Sequence, residues 1–189
     1  MPVSGILLAG GKSTRMGRDK RFILLGDKKI PLWQNAVNLL EQFTTDIIIS
    51  APHGSLPASY PVIQDIIPDI GPMGGLYTCL PKIKHQAAIV IPVDMPLLSQ
   101  EILSDLLKNY DQKSITIARH GGKIEPLVGI YPAETYKTIA QLIQQGNYKI
   151  RDLFAYMPVR FVDFPDTKEF LNLNRPSDLK EINKHITLL

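Results

Sequence analysis

The sequence predicts an α/β domain in which a mostly parallel sheet, interrupted by one antiparallel strand, is covered by helices on both faces. Three observations lead there. Short apolar runs such as Val3–Leu8, Ile47–Ile49 and Ala87–Val93 alternate with stretches of helical spacing from end to end. Strand–helix alternation of that kind favours parallel strands joined by helical crossovers, with both faces buried. The connection at Gly121-Gly122 is too short for a crossover, so one pair there is antiparallel. With 189 residues, one domain over residues 1–189 is the expected organisation.

Each element has its own signal. Val3–Leu8 is the first strand, ending in a glycine turn. From Pro31 to Phe43 the residues Leu32, Trp33, Ala36, Val37, Leu39, Leu40 and Phe43 recur at helical spacing, with Pro31 at a first helical position. Asp46–Ser50 is a second strand, and Tyr60–Gln64 is a short third one ending at Asp65. A helix over Pro72–Ile83 opens at Gly71-Pro72, and Gln86–Val93 is the most strongly apolar strand. Ser99 caps a helix through Tyr110, with Glu101 and Asp105 near its positive end. Strands near Ser114–Ala118 and Leu127–Tyr131 flank the Gly121-Gly122 turn. Gly146-Asn147 stops a helix over Ala133–Gln145. A short helix near Ile150–Tyr156, a strand near Val159–Asp163 and a helix from Pro176 to about His185 complete the chain.

Composition narrows the function classes. Hydrophobic residues make up 44% and charged ones 21%, ordinary values for a globular protein. Cys79 is the single cysteine, which excludes an internal disulfide, and the four histidines are too scattered for zinc-ligand spacing. Cys79 shares an apolar helix face with Leu76, Leu80 and Ile83 and reads as core. The longest apolar run falls well short of the ~20 residues of a spanning helix. The amino terminus lacks the basic start of a secretory signal, so a cytoplasmic location is expected. Basic charge concentrates in residues 12–29, where seven Lys and Arg face only Asp19 and Asp27. Such a cluster suits either a solvated face or a small polyanion, and the balanced remainder argues against a nucleic-acid track.

The residues after the buried runs carry the chemistry, because parallel sheets bind ligands beyond their carboxyl ends. Leu8-Ala9-Gly10-Gly11 followed by Lys12, Arg15, Arg18 and Lys20 reads as a polyphosphate cradle. It is neither a Walker A loop, since Ile6 stands where the first glycine is needed, nor the dinucleotide fingerprint. Asp94 ends the most buried strand, which fits a carboxylate bridging Mg²⁺ to phosphates and fits equally a cap on the turn before Pro96. Asp65 precedes Gly71 and Gly74-Gly75, which suit a close backbone approach to a base or ribose; Asp65 also reads as a plain loop residue. Asn172 and Asn174 share one side of an extended segment and can hydrogen-bond a polar heterocycle, while Asn174 also suits the cap of the last helix.

Taken together, these motifs resemble the molybdenum cofactor guanylyltransferases, the MobA family of nucleotidyltransferases. The match runs from Leu8-Ala9-Gly10-Gly11 through Arg15-Met16-Gly17 to Asp19-Lys20, then Pro31-Leu32-Trp33-Gln34. It continues through Asp65, Gly71-Pro72-Met73-Gly74-Gly75, Asp94-Met95-Pro96 and Asn172-Leu173-Asn174-Arg175-Pro176. The resemblance implies a three-layer, Rossmann-like nucleotidyltransferase domain that transfers GMP from GTP to the terminal phosphate of molybdopterin and releases pyrophosphate.

It also implies roles. Leu8, Ala9, Gly10, Gly11, Lys20, Ser50, Asp65 and Asp94 correspond to the GTP site, and Asp94 to the Mg²⁺ ligand. Arg15, Lys20 and Asp94 correspond to catalytic positions, and Gly75, Asn172 and Asn174 to molybdopterin contacts. Transient contacts with molybdenum-insertion and molybdenum-enzyme partners are implied as well, with neither nucleic acid nor membrane. One departure concerns the base: related proteins can carry an asparagine after the second strand, where this chain has Ser50-Ala51-Pro52. Serine offers one hydroxyl in place of a two-sided amide. Cytidylyl transfer to molybdopterin, transfer to another phosphate acceptor, and nucleotide binding without catalysis are the competing readings.

Overall fold

The structure, a computed structural model, describes residues 1–10 and 19–186. Strands β1 (Ser4–Leu8), β4 (Ile47–Ser50), β5 (Val62–Ile63), β6 (Ala87–Pro92), β7 (Ile115–His120), β8 (Lys123–Pro132) and β9 (Val159–Phe164) form one sheet, and β2 (Leu24–Leu25) pairs with β3 (Ile30–Pro31) in a small hairpin. The sheet order is β5-β4-β1-β6-β8-β7-β9. Among these strands β8 is the one that runs against its neighbours, as the short Gly121-Gly122 connection requires.

Side chains alternate across the sheet into two cores. Leu7, Ile49, Ile89 and Ile91 face α1 (Leu32–Glu41), α3 (Gln100–Asn109) and α5 (Pro176–Ile186). Ile6, Leu8, Ile48 and Val90 face α2 (Pro72–Cys79) and α4 (Thr135–Gln144). Each fully buried Leu or Ile contributes ~1.5–3 kcal/mol. Cys79 lies fully buried in the second core, where burial, with the charge of Asp65 behind it, pushes the thiol up to about 12.

Several boundaries differ from the sequence expectation for identifiable reasons. The helix opened by Gly71-Pro72 ends as an α-helix at Cys79 and tightens into a 3-10 turn over Leu80–Lys82, because Pro81 has no N–H to continue the ladder. The Ile150–Ala155 segment is likewise a 3-10 turn. The third strand keeps only Val62–Ile63. Pro31 closes β3 and stands just before α1 rather than inside it. Strand β8 starts at Lys123, well before Leu127, and carries an irregularity: Ile117 pairs with Gly129 but Ala118 pairs with Glu125. The residues in between bulge out, and the Tyr131 hydroxyl donates to the carbonyl of Pro126 within them.

The amino ends of the central strands are fastened by one carboxylate. Ser4 Oγ donates to Asp46 Oδ2 at 2.6 Å, and the Lys84 backbone N–H donates to the same oxygen at 2.9 Å. Burial pulls the Asp46 carboxyl up, but these donors and the nearby charges of Lys84 and His85 outweigh it and hold it below its ordinary 3.8. A folded-state pKa below the unfolded one means stabilisation that is complete above the ordinary value and lost as pH falls through the depressed one. We therefore expect Asp46→Ala to cost ~1–3 kcal/mol at neutral pH. In urea unfolding followed across pH, the gap to wild type should close on acidification.

Candidate active site

Parallel strands bring their carboxyl ends to one rim, and the backbone stitches that rim together. Ala9 N–H donates to Ser50 O at 2.8 Å, Val93 N–H to Leu8 O at 3.0 Å, and Ala51 N–H to Ile63 O at 3.0 Å. A cleft of about 510 Å³ opens on this rim, lined by Gly10, Ser50, Asp65, Asp69, Gly71 and Gly75. A recess of about 490 Å³ on the other face, between α1, the β2–β3 hairpin and Pro96–Ser99, holds none of the residues that end β1, β4 or β5.

Ser50 ends β4 and is buried; its hydroxyl donates to Asp65 Oδ1 at 2.7 Å. Gly75 in α2 permits that pair, since a Cβ there would stand 2.7 Å from both Ser50 Oγ and Leu8 Cδ2. The Asp65 carboxyl is pushed up by burial, which its bond from Ser50 opposes without cancelling. Next to it, the backbone N–H of Ile66 donates to Thr78 Oγ1 at 2.9 Å, tying the loop to α2.

The second centre is an ion pair. Lys20, opening a 3-10 turn over Lys20–Phe22, places Nζ 2.7 Å from Oδ2 of Asp94, two residues beyond β6. Both side chains are largely shielded, at 17% and 19% exposure. The carbonyl of Asp94 accepts the backbone N–H of Leu173 at 2.7 Å. That bond fixes the segment bearing half-buried Asn172 and exposed Asn174 beside Asp94, with Leu173 buried between them. Asn174 is not the helix cap: Asp178 Oδ2 instead accepts the backbone N–H groups of Asn174 and Arg175 at 2.9 and 2.7 Å.

Leu8, Ala9, Gly10, Ser50, Asp65, Gly75 and Asp94 thus share the rim of β1, β4 and β6, with Lys20 and the Asn172–Asn174 segment brought to Asp94. Gly11 and Arg15 lie outside the described residues. No group of three or more His, Cys, Asp or Glu side chains placed to hold a metal ion occurs among the described residues. Sequence reasoning missed the Ser50–Asp65 bond and the approach of the 172–174 segment to Asp94; neither leaves a local signal.

This fold and this rim define a nucleotidyltransferase. Residues 5–161 match the MobA-like NTP transferase domain, and the chain belongs to that family. A probable molybdenum cofactor guanylyltransferase of Geobacillus is 32% identical, with 95% of this chain and 97% of the relative covered. One from Carboxydothermus hydrogenoformans is 30% identical over 96% and 95%. Among solved structures, molybdopterin-guanine dinucleotide biosynthesis protein A from Archaeoglobus fulgidus covers all of both chains at TM-score 0.81 and 22% identity, a likeness of fold. No helix among the described residues is long and apolar enough to cross a membrane.

The Asp65 carboxyl yields a test. With a folded-state pKa above the ordinary 3.8, its ionisation costs stability at neutral pH, and that cost is relieved as pH falls through the raised value. Ser50→Ala removes the bond that opposes burial. It should destabilise the fold by ~1–2 kcal/mol at neutral pH. The difference should shrink in mildly acidic buffer, measured by denaturant unfolding.

Proposed function

We propose that the chain acts as one domain that transfers GMP from GTP to the terminal phosphate of molybdopterin, releasing pyrophosphate. The observation that carries this reading is the Lys20–Asp94 pair at the rim, held within one backbone hydrogen bond of the Asn172–Asn174 segment. In this reading the pair is the phosphate-binding charge centre, lying between the Ser50–Asp65 cleft and a polar segment suited to a pterin. The names borne by the relatives support the same substrates.

In this reading Leu8, Ala9, Gly10 and Gly11 bind the nucleotide through backbone and small side chains, with Ser50 and Asp65 beside the base or ribose. Asn172 and Asn174 hold the pterin, with Gly75 meeting it from the wall of the Ser50–Asp65 cleft. An oxygen of the molybdopterin phosphate attacks the α-phosphorus, and the bond to the bridging oxygen of the β-phosphate breaks as pyrophosphate leaves. A phosphate monoester is largely ionised at neutral pH, its second pKa being ~6, so no strong base is needed. Lys20 and Arg15 then serve by neutralising charge on the phosphates and fixing their orientation.

The donor set fits Mg²⁺, which takes one or two protein carboxylates and completes its shell with phosphate oxygens and water. Of the Asp94 carboxylate, Oδ2 accepts from Lys20 Nζ at 2.7 Å. Asp94 would hold the ion, which when bound neutralises the triphosphate and eases departure of pyrophosphate. Contacts with molybdenum-insertion and molybdenum-enzyme partners, and a cytoplasmic site of action, follow from the same reading.

Ser50 supports one alternative. Its hydroxyl is committed to Asp65 rather than presenting a two-sided amide to a purine, which leaves cytidylyl transfer to the same acceptor as the second reading. Pyrophosphate release from each of the four nucleoside triphosphates, with and without molybdopterin, separates the two. Release from GTP only when the pterin is present is the expected result; preference for CTP selects the alternative. Lys20→Ala and Asp94→Ala should each lower turnover by at least about a hundredfold, the size of one lost electrostatic donor. Near-wild-type rates in either would remove the pair from the catalytic centre.

A further inference from the structure

His120 ends β7 at the same rim and is buried, at 6% exposure, without a part in the chemistry above. Its ring lies flat on that of Phe170, with centroids 4.3 Å apart and planes 1° from parallel. Both ring nitrogens face carboxylates: Nε2 is 3.0 Å from Glu125 Oε1 on β8, and Nδ1 is 3.3 Å from Asp166 Oδ1 beyond β9. Whichever nitrogen carries hydrogen therefore has an acidic partner to receive it.

Two backbone irregularities make this arrangement. The bulge in β8 sets Glu125 opposite Ala118, on the sheet face that His120 shares with Ala118. Gly121, at φ +49°, lets Asp166 approach the hairpin; a Cβ there would lie 3.0 Å from its Cβ and Cγ. Asp166 and Phe170 begin the stretch that reaches Leu173, whose N–H meets the carbonyl of Asp94. The stretch is thus fastened at one end to His120 and at the other to Asp94, with Asn172 between the two fastenings.

We propose that His120 is a positioning residue for the acceptor: it clamps residues 166–174 across the rim and thereby sets where Asn172 and Asn174 stand relative to Asp94. The proposal rests on the acceptor reading given above, but its mechanical content is independent of it. His120→Phe keeps the ring and removes both polar fastenings; Asp166→Asn, at an exposed position, loosens one and leaves the Glu125 contact in place.

Backbone hydrogen exchange without any substrate reads the clamp directly. The amides of residues 170–175, Leu173 above all, should exchange at least about tenfold faster in His120→Phe, as for loss of ~1.4 kcal/mol of local protection. Unchanged exchange there in both variants overturns the proposal, whatever the enzyme transfers. In kinetics, the KM for molybdopterin should rise about tenfold while the KM for GTP stays within about twofold. The Asn172→Ala background should absorb most of that rise, because both changes act through the same contact.

Equal losses toward both substrates, or full additivity with Asn172→Ala, would make His120 a general stability residue and refute the clamp. A wild-type enzyme that transfers nothing to molybdopterin would defeat the acceptor reading instead, and the exchange measurement would still decide the clamp. Should His120→Phe fail to fold, Asp166→Asn carries the same two measurements with smaller expected shifts in the same direction.

Discussion

A strand covered on both faces has no place along its length for a charge, and this constraint organises the molecule. β1 and β6 are buried from end to end, so every polar group they supply to a ligand must follow their last residues. Burying an unpaired charge among them would cost several kcal/mol. Parallel pairing then collects those expelled groups on one side: Ser50, Asp65 and Asp94 stand at or just past the ends of β4, β5 and β6, and Gly10 past β1. The rim is chemically dense because β1 and β6 beneath it carry no charge.

The same constraint explains what was legible in the sequence. Gln86–Val93 and its terminal Asp94 could be read directly, because a contiguous apolar run and the carboxylate ending it are local features. The antiparallel pair at Gly121-Gly122 and the Ser99 cap were equally plain, the cap being realised as Ser99 Oγ accepting the Ile102 N–H. The β2–β3 hairpin was not, because two-residue strands are shorter than any periodicity can register. Nor was the early start of β8, since Glu125-Pro126 interrupts its alternation and the bulge hides the register.

Side-chain partnerships were the least legible part of the site. Lys20 and Asp94 are separated by 74 positions, and His120 and Asp166 by 46. Residue type suggested Lys20 and Asp94 individually, since a basic loop and a strand-ending carboxylate both suit phosphates. Nothing in residue type suggested that His120 would stack on Phe170. The Asn172–Asn174 spacing suggested a common side, but the bond from Leu173 to Asp94, which holds the segment at the rim, belongs to the backbone and is silent in sequence.

The Ser4–Asp46 fastening has a different kind of consequence. It lies at the amino ends of β1 and β4, one strand length from the rim, roughly 17 Å for five residues at ~3.3 Å each. Substitutions more than ~7–10 Å apart and without shared partners add independently. The fold therefore keeps its mechanical anchorage and its ligand selection in separate accounts of sequence variation. An exchange at the rim leaves that anchorage untouched: at Ser50 it costs the fold the bond to Asp65 and nothing at the far end of the sheet.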